Sequence, residues 1–428
     1  MAKYKVEMLD DYIRLRTKNN DHQIRAVLNF KSHIEIGKLK EAVKKSLHII
    51  PILGSKYVEA GQKHYWESPS VSYDDTDYFT LIAEYPSNKM LTYVLAETPD
   101  QHVGPQLKVT VFRQPENDIV CIVFNHMVCD GSGFKSYLYL LSVLYADQNV
   151  EINEMIHATQ MERSVGLILK SLSLKDKLHI FLQKDNHTDK ENEIKVVLQE
   201  DENKRKPELF LLKIDAVTLN CIKSFCHAQR ITVNDFMLAL YYKALFEIHA
   251  VPVNSKLTMD TMIDLRRYDT NRLIYPFSNF SSSMRIQVMN KEQSFPVLAT
   301  EINHITRRLK SQYPGLKSIE LLTIIYKLFN RSHFENTLIK RTNSLGVSSS
   351  NVGIIDKTKL LFGDIGLSDA YMVTALKNPP ALQLTFSTFD DTMTLSLFGN
   401  YSAENKIRIS KIVDSCRKTI GEIEKSRI

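Results

Sequence analysis

Cysteine is scarce in this sequence: five stand in 428 residues, at 121, 129, 221, 226 and 416. The count is odd and no Cys-x-x-Cys occurs. That argues against a disulfide framework or a structural zinc site and makes reduced thiols in the cytoplasm the expectation. Long apolar runs are missing too. No window approaches 18 uncharged apolar residues, so no membrane span is expected. The opening stretch MAKYKVEMLDDYIRLRTK has no signal-peptide core. Nor is there a block of like charge. Lys and Arg number 55 against 49 Asp and Glu, a net +6 spread along the chain, so nucleic acid is not an expected partner. The single tryptophan, Trp66, reads as a packed residue.

What is present is an ordinary globular composition, 43% hydrophobic and 24% charged. The length suits two or three domains, or one large two-lobed one. The most informative stretch is Cys121 to Gly133, CIVFNHMVCDGSG. Strand-formers from Asp118 to Phe124 end in Asn125-His126, and a helix follows. Its apolar residues Phe134, Tyr137, Leu138, Leu141, Leu144 and Tyr145 fall at three-four spacing, one buried helical face. His126 therefore stands at the exit of a buried strand, where loops carry chemistry on a rigid support. Of the thirteen histidines, only His126 has Asp at the fourth following position and Gly at the fifth. The bland readings are a satisfied core histidine, or His and Asp one turn apart on a helix. Gly131, Ser132 and Gly133 speak against the second.

The rest of the chain alternates strands and helices. Ile24 to Phe30 reads as a strand, and Ile36 to Ile50 as a helix stopped by Pro51. Ser55 to Glu59 and His64 to Glu67 read as strands. Leu107 to Phe112 and Ile119 to Phe124 form a hairpin that delivers His126. A charged stretch, 183–206, is the expected connection between lobes, and His179 and His187 near it read as surface residues. Leu209 to Ile214 and Ala216 to Ala228 repeat the strand-helix order. Thr232 or Asn234 then caps an apolar helix. Further strands are read at Thr258 to Leu265, from Met284, and at Leu345 to Asn351. Helices are read at Pro296 to Leu309 and Ser318 to Phe329. A hairpin, Leu382 to Thr388 with Met393 to Gly399, and a helix from Ala403 to Lys425 close the chain.

His126-x-x-x-Asp130-Gly131 after a strand, about a third of the way along, resembles the active-site motif of the chloramphenicol acetyltransferase-like acyltransferases. That superfamily includes alcohol acetyltransferases, plant acyltransferases, wax ester synthases and the condensation domains of peptide synthetases. TVNDFMLALYYKAL from Thr232, MIDLRR from Met262 to Arg267, the Asn279-Phe280 strand start and Ser349-Ser350-Asn351-Val352-Gly353 resemble further segments of it. Ser278 stands where the family has Gly. The plant Asp-Phe-Gly-x-Gly string is absent; Leu361-Phe362-Gly363-Asp364 echoes it faintly.

The resemblance implies an α/β (α+β) fold of two chloramphenicol acetyltransferase-like lobes, each a mixed sheet flanked by helices, with the active-site tunnel between them. Residues 1–182 would form the N-terminal lobe carrying the motif, and 207–428 the C-terminal lobe. It implies acyl transfer from a thioester, acyl-coenzyme A or an acyl carrier protein, to a small alcohol or amine. No cofactor would be bound permanently, and the protein would be a monomer. His126 would be the general base. Asp130 would pair with Arg266, Gly131 would permit a tight backbone, and Asn351 or a serine at 348–350 would face the oxyanion. Cys129 would be a bystander rather than a nucleophile.

Condensation domains usually carry two adjacent histidines, and Asn125 replaces the first. This favours a stand-alone O- or N-acyltransferase over an amide- or ester-forming protein acting on carrier-bound substrates. A non-catalytic binding module of the same fold is a further alternative. A metal hydrolase is another, although His126 and Asp130 are its only local candidate ligands.

Overall fold

The computed structural model describes residues 1–16, 20–70, 73–147, 163–182, 191–196, 198, 205–269, 276–342 and 346–425. Most of the expected connection at 183–206, His187 included, lies outside them. Two mixed sheets with flanking helices each organise one lobe.

The first sheet has five strands, in the order Leu367–Val373, Gln23–Phe30, Asp118–Asn125, Leu107–Arg113, Phe79–Ile82. Gln23–Phe30 is an interior strand buried along almost its whole length: Ile24, Ala26, Leu28 and Phe30 alternate into the lobe's core, while Val27 on the other face joins a smaller cluster. It lies antiparallel to Asp118–Asn125, with Gln23 opposite Asn125. Helices Ile36–Ile49 and Gly131–Ala146 pack together and contribute Leu39, Val43, Phe134, Tyr137 and Leu141 to the same core. Trp66 is fully buried there. A small antiparallel sheet, Lys3–Lys5, Lys63–Glu67 and Lys56–Ala60, flanks this lobe.

The second sheet runs Ser281–Met289, Lys256–Asp264, Val347–Ile355, Leu382–Phe389, Thr392–Tyr401, Lys206–Ile214, and the two-residue strand Glu193–Ile194 pairs with Lys256–Asp264. The two pairings of Val347–Ile355 are parallel, and the others along this path are antiparallel. Val233–Ile248 is the most buried helix of this lobe. Thr232 caps it through a reciprocal capping box with Asp235.

One strand crosses the division expected between 182 and 207. Leu367–Val373 belongs to the second half of the sequence yet pairs antiparallel with Gln23–Phe30, Ala370 opposite Leu28. Its side chains alternate in destination, as strand geometry requires. Leu367, Ala370 and Met372 enter the first lobe's core. Tyr371 and Val373 join a smaller cluster with Val27, Phe112 and Phe398. Helices Met8–Arg14, Asn88–Ala96 and Arg331–Thr342 are additional to the sequence reading. Among the described residues no helix is long and apolar enough to cross a membrane.

The borrowed strand makes the first lobe dependent on the second. A fragment of residues 1–182 would expose the Gln23–Phe30 edge and lack core residues such as Phe362, Met372 and Phe389. It is expected to aggregate on size-exclusion chromatography; a monodisperse monomer with a cooperative melt would contradict this.

Candidate active site

His126 follows directly on the buried strand Asp118–Asn125, and its backbone N–H donates to the His22 carbonyl at 2.7 Å. The loop that follows is anchored by Asp130, which is 3% exposed and caps helix Gly131–Ala146 by accepting from the Gly133 N–H at 3.0 Å. The remaining carboxylate capacity is met from the other lobe. Arg266 Nη1 donates to both Asp130 oxygens at 3.0 and 2.8 Å, and the Phe280 N–H donates to Oδ2 at 2.7 Å. Arg266 Nη2 donates to the carbonyls of Pro276 and Ser278 at 3.1 and 2.8 Å. Burial pushes the Asp130 carboxyl up, but Arg266 and the two backbone N–H groups outweigh it and hold it below the usual carboxylate range. Asp130 is thus an ionised, fully engaged structural anion.

Asn279 defines the state of the histidine. Its Nδ2 donates to the carbonyls of His126 and Met127, both at 3.0 Å. Carbonyls only accept, so the amide has one orientation, and Oδ1 faces His126 Nδ1 at 3.2 Å. Nδ1 must therefore carry the proton, and Nε2 keeps the lone pair. Burial pushes the His126 pKa below the ordinary imidazole value, and Lys377 adds to the fall, against Asp130 and Asn279 pulling upward. Beneath Asn279 lies buried Asp10, which receives Arg163 at 2.8 and 3.1 Å and Trp66 Nε1 at 3.4 Å. Arg163 also donates to the Val128 carbonyl at 2.9 Å, so the backbone after His126 is held from below.

His126 lines a cavity of about 360 Å³ between the lobes, with Gly131 and His22 from the first half of the chain and Asn279, Ser350 and Asn351 from the second. No protein-family profile and no curated sequence matches the chain. Solved structures do match. The epimerization domain from the third module of tyrocidine synthetase B superposes with a TM-score of 0.65 at 14% identity, over 99% of this chain and 96% of that one. The first condensation domain of the calcium-dependent antibiotic synthetase, solved with a substrate analogue, gives 0.65 at 11%, over 98% and 96%. Trichothecene 15-O-acetyltransferase from Fusarium sporotrichioides gives 0.64 at 12%, over 95% and 93%. The chain has the condensation-domain fold.

Within that fold the remaining sequence-derived residues divide. His126, Asp130, Gly131 and Asn351 all border the cavity; Arg266 stands behind Asp130, stacked 5.1 Å from the Phe280 ring. Gly131 is not the strained position expected. It has no positive φ, and a Cβ there would meet only Met372 and Val352 atoms at 4.0 Å. Gly133 is the crowded one: its Cβ would lie 2.7 Å from Cys129 Cβ and 2.8 Å from the Pro276 carbonyl. The tight approach is a helix-to-lobe contact two residues further on.

Asn351 is largely committed elsewhere. Its Oδ1 accepts from the Gly353 N–H at 2.8 Å and its Nδ2 donates to Asn234 at 3.1 Å. Gly353, at φ +79°, takes the positive-φ turn. Strand periodicity puts Ser348 and Ser350 on the cavity side and buries Ser349 on the other. Ser278, standing where the motif has Gly, is fully buried, and its carbonyl receives both Arg266 and the Asp130 N–H.

All five cysteines are free. Burial pushes the Cys129 thiol far up, which makes it a packing residue. Asn125 is buried and turned into the loop, bonding Gln106 at 2.7 Å and the Met127 N–H at 3.0 Å. Its identity therefore bears on the loop rather than directly on substrate choice. Among the described residues no group of three His, Cys, Asp or Glu is placed to hold a metal ion.

Sequence reasoning passed over Asn279, Asp10 and Arg163. Only Asn279 had a signal, its place at the head of a family-like strand.

Asp130→Ala would take the acceptor from the buried Phe280 N–H and leave the Arg266 guanidinium only Asp264, at 3.2 Å, and two backbone carbonyls. The expected loss is about 3–5 kcal/mol in denaturant unfolding, well above what an exposed ion pair gives. A loss under ~1 kcal/mol, the surface-pair range, would contradict the structural role.

Proposed function

We propose that this protein is an acyltransferase. It moves an acyl group from a thioester, carried by coenzyme A or by a carrier protein, to the hydroxyl or amine of a small acceptor. The observation that carries the reading is the His126–Asn279 contact, which fixes Nδ1 as the protonated nitrogen and, in the neutral ring that burial favours, leaves Nε2 unprotonated at an inter-lobe cavity. In this reading the acceptor O–H or N–H gives its proton to Nε2 as the nucleophile attacks the thioester carbonyl. The imidazolium then protonates the departing thiolate as the tetrahedral intermediate collapses. Nδ1–H stays on Asn279 throughout. Ser348 or Ser350 serves as oxyanion donor more readily than Asn351, whose amide is already bonded at both ends. Asp130 and Arg266 act by positioning the loop.

The comparisons support this at the level of the fold, one of the matched structures being an O-acetyltransferase by name. Thiol release from a panel of acyl-coenzyme A and acyl-carrier-protein thioesters, with mixed alcohol and amine acceptors, tests it. His126→Ala is expected to lower the rate roughly 10²–10⁴-fold. Equal rates in wild type and variant, or none with either donor type, would overturn the assignment.

The pH profile gives a second check. The active form is neutral His126, so activity is lost as pH falls through its pKa. That pKa is depressed, which places the acid limb of kcat/KM below about 6.5. A limb centred above that value would mean that another group, or a differently housed histidine, is titrating.

A further inference from the structure

The cations around the cavity are not equally provided for. Four lysines and arginines line it: Arg16, Lys135, Arg285 and Lys377. Arg285 is paired with Asp260 at 3.0 Å, and Lys135 donates to the Ile354 carbonyl at 3.4 Å. Arg16 and Lys377 have no carboxylate partner among the described residues. Arg16 reaches only the Tyr12 hydroxyl, at 3.5 Å, and stacks over that ring. Its Nε is buried without a hydrogen bond.

Lys377 is the sharper case. It is 8% exposed, and its ammonium has no hydrogen-bond or ion-pair partner among the described residues. Its placement is fixed by the backbone: the Lys377 N–H donates to the Phe398 carbonyl at 3.0 Å, and the Asn400 N–H donates to the Lys377 carbonyl at 2.9 Å. A Cβ at Gly399 would sit 2.5 Å from that carbonyl, so glycine is needed there for the approach. The residue is thus pinned at the seam of the two sheets with its side chain at the cavity.

Asp21 favours the ammonium but does not offset its burial. Asp21 is taken by Arg25 and by the Leu376 N–H at 3.0 Å. His22 adds no charge, since burial pushes its imidazole down to about 4. Burial and then Arg16 press the Lys377 ammonium down to about 7. A buried ammonium without a counter-charge is costly and yields its proton readily, and an anion bound beside it would restore the charge.

We propose that one of the two substrates carries a carboxylate, and that Lys377 and Arg16 hold it in the cavity beside His126. This rests on the acyl-transfer reading for the word substrate, but the anion site itself does not. The enclosure favours a small acid over the nucleotide end of coenzyme A: the volume, about 360 Å³, is near the lower end for small-molecule sites. The acid can enter on the acyl donor, as in a dicarboxylic acyl thioester, or on the acceptor, as in a hydroxy or amino acid.

Isothermal titration calorimetry with matched pairs separates these sources. One arm compares malonyl- and succinyl-coenzyme A with acetyl- and butyryl-coenzyme A. The other compares short hydroxy and amino acids with their amides. Wild type and His126→Ala are both expected to prefer the acid member of one arm by on the order of ten- to a hundredfold, the worth of a charged hydrogen bond. Lys377→Met is expected to abolish the preference and Arg16→Gln to reduce it, with Lys377→Arg retaining part of it. Arg16 is only half-buried at a helix end, so its variant decides the matter if Lys377→Met does not fold. No preference in either arm, or a preference unchanged in the variants, overturns the proposal. A preference without any thiol release would leave the anion site standing and remove acyl transfer.

Discussion

The structure depends on one buried carboxylate. Asp130 accepts four hydrogen bonds from three donors, a single guanidinium nitrogen that reaches both its oxygens and two backbone N–H groups. Each donor belongs to a different task. Gly133 starts the helix that backs the first lobe. Phe280 begins an edge strand of the second sheet. Arg266 lies in the short helical turn after the neighbouring strand, Lys256–Asp264, and ties down the carbonyls of Pro276 and Ser278. A buried ion pair is weak evidence for net stability, because desolvation offsets much of the attraction. Its value here is geometric. With every lone pair used, the loop from His126 to Gly131 has one arrangement relative to the second lobe.

That arrangement puts Asn279, the residue before Phe280, against His126. An asparagine can present either end, and the choice is made by the two carbonyls that accept from its amide. The tautomer of the candidate base is therefore set by the backbone of its own loop, read through a side chain from the other lobe. A carboxylate in the same position would repel those carbonyls and favour a charged imidazole. An amide holds the ring without adding a charge beside it, which suits a proton acceptor.

The elements that contain chemistry were legible because their signals are local. The hairpin, its helix and the His-Asp-Gly spacing lie between Leu107 and Ala146, and strand alternation and helical period suffice to place them. Arg266 was legible through the resemblance of MIDLRR. What was not legible depends on distant partners. Leu367–Val373 is short, and its value as a strand comes from an edge more than three hundred residues earlier in the chain. Met8–Arg14 carries two adjacent aspartates that look like surface charge. Both are buried: Asp10 meets Arg163 and Trp66, while Asp11 meets Tyr57, Tyr326 and Arg331. Arg331–Thr342 has little apolar periodicity and is helical through its place against Leu316–Leu328. Gly131 and Gly133 sit two residues apart in a glycine-rich turn, and only packing shows which of them cannot bear a side chain.

Two seams join the lobes, and they treat charge in opposite ways. At the Asp130–Arg266 seam every ionised group has its partner, and the region is spent on holding position. At the other seam, where Leu367–Val373 crosses and Lys377 is stitched to Phe398 and Asn400, cations outnumber the acids that face them. Asp21 neutralises Arg25 and leaves Arg16 and Lys377 uncovered. A fold that completes one buried network so fully has the means to supply a carboxylate where stability requires it. The residual charge at the second seam is better explained by a ligand than by neglect. Lys377 also lowers the pKa of His126, and an anion paired with Lys377 would relieve that effect.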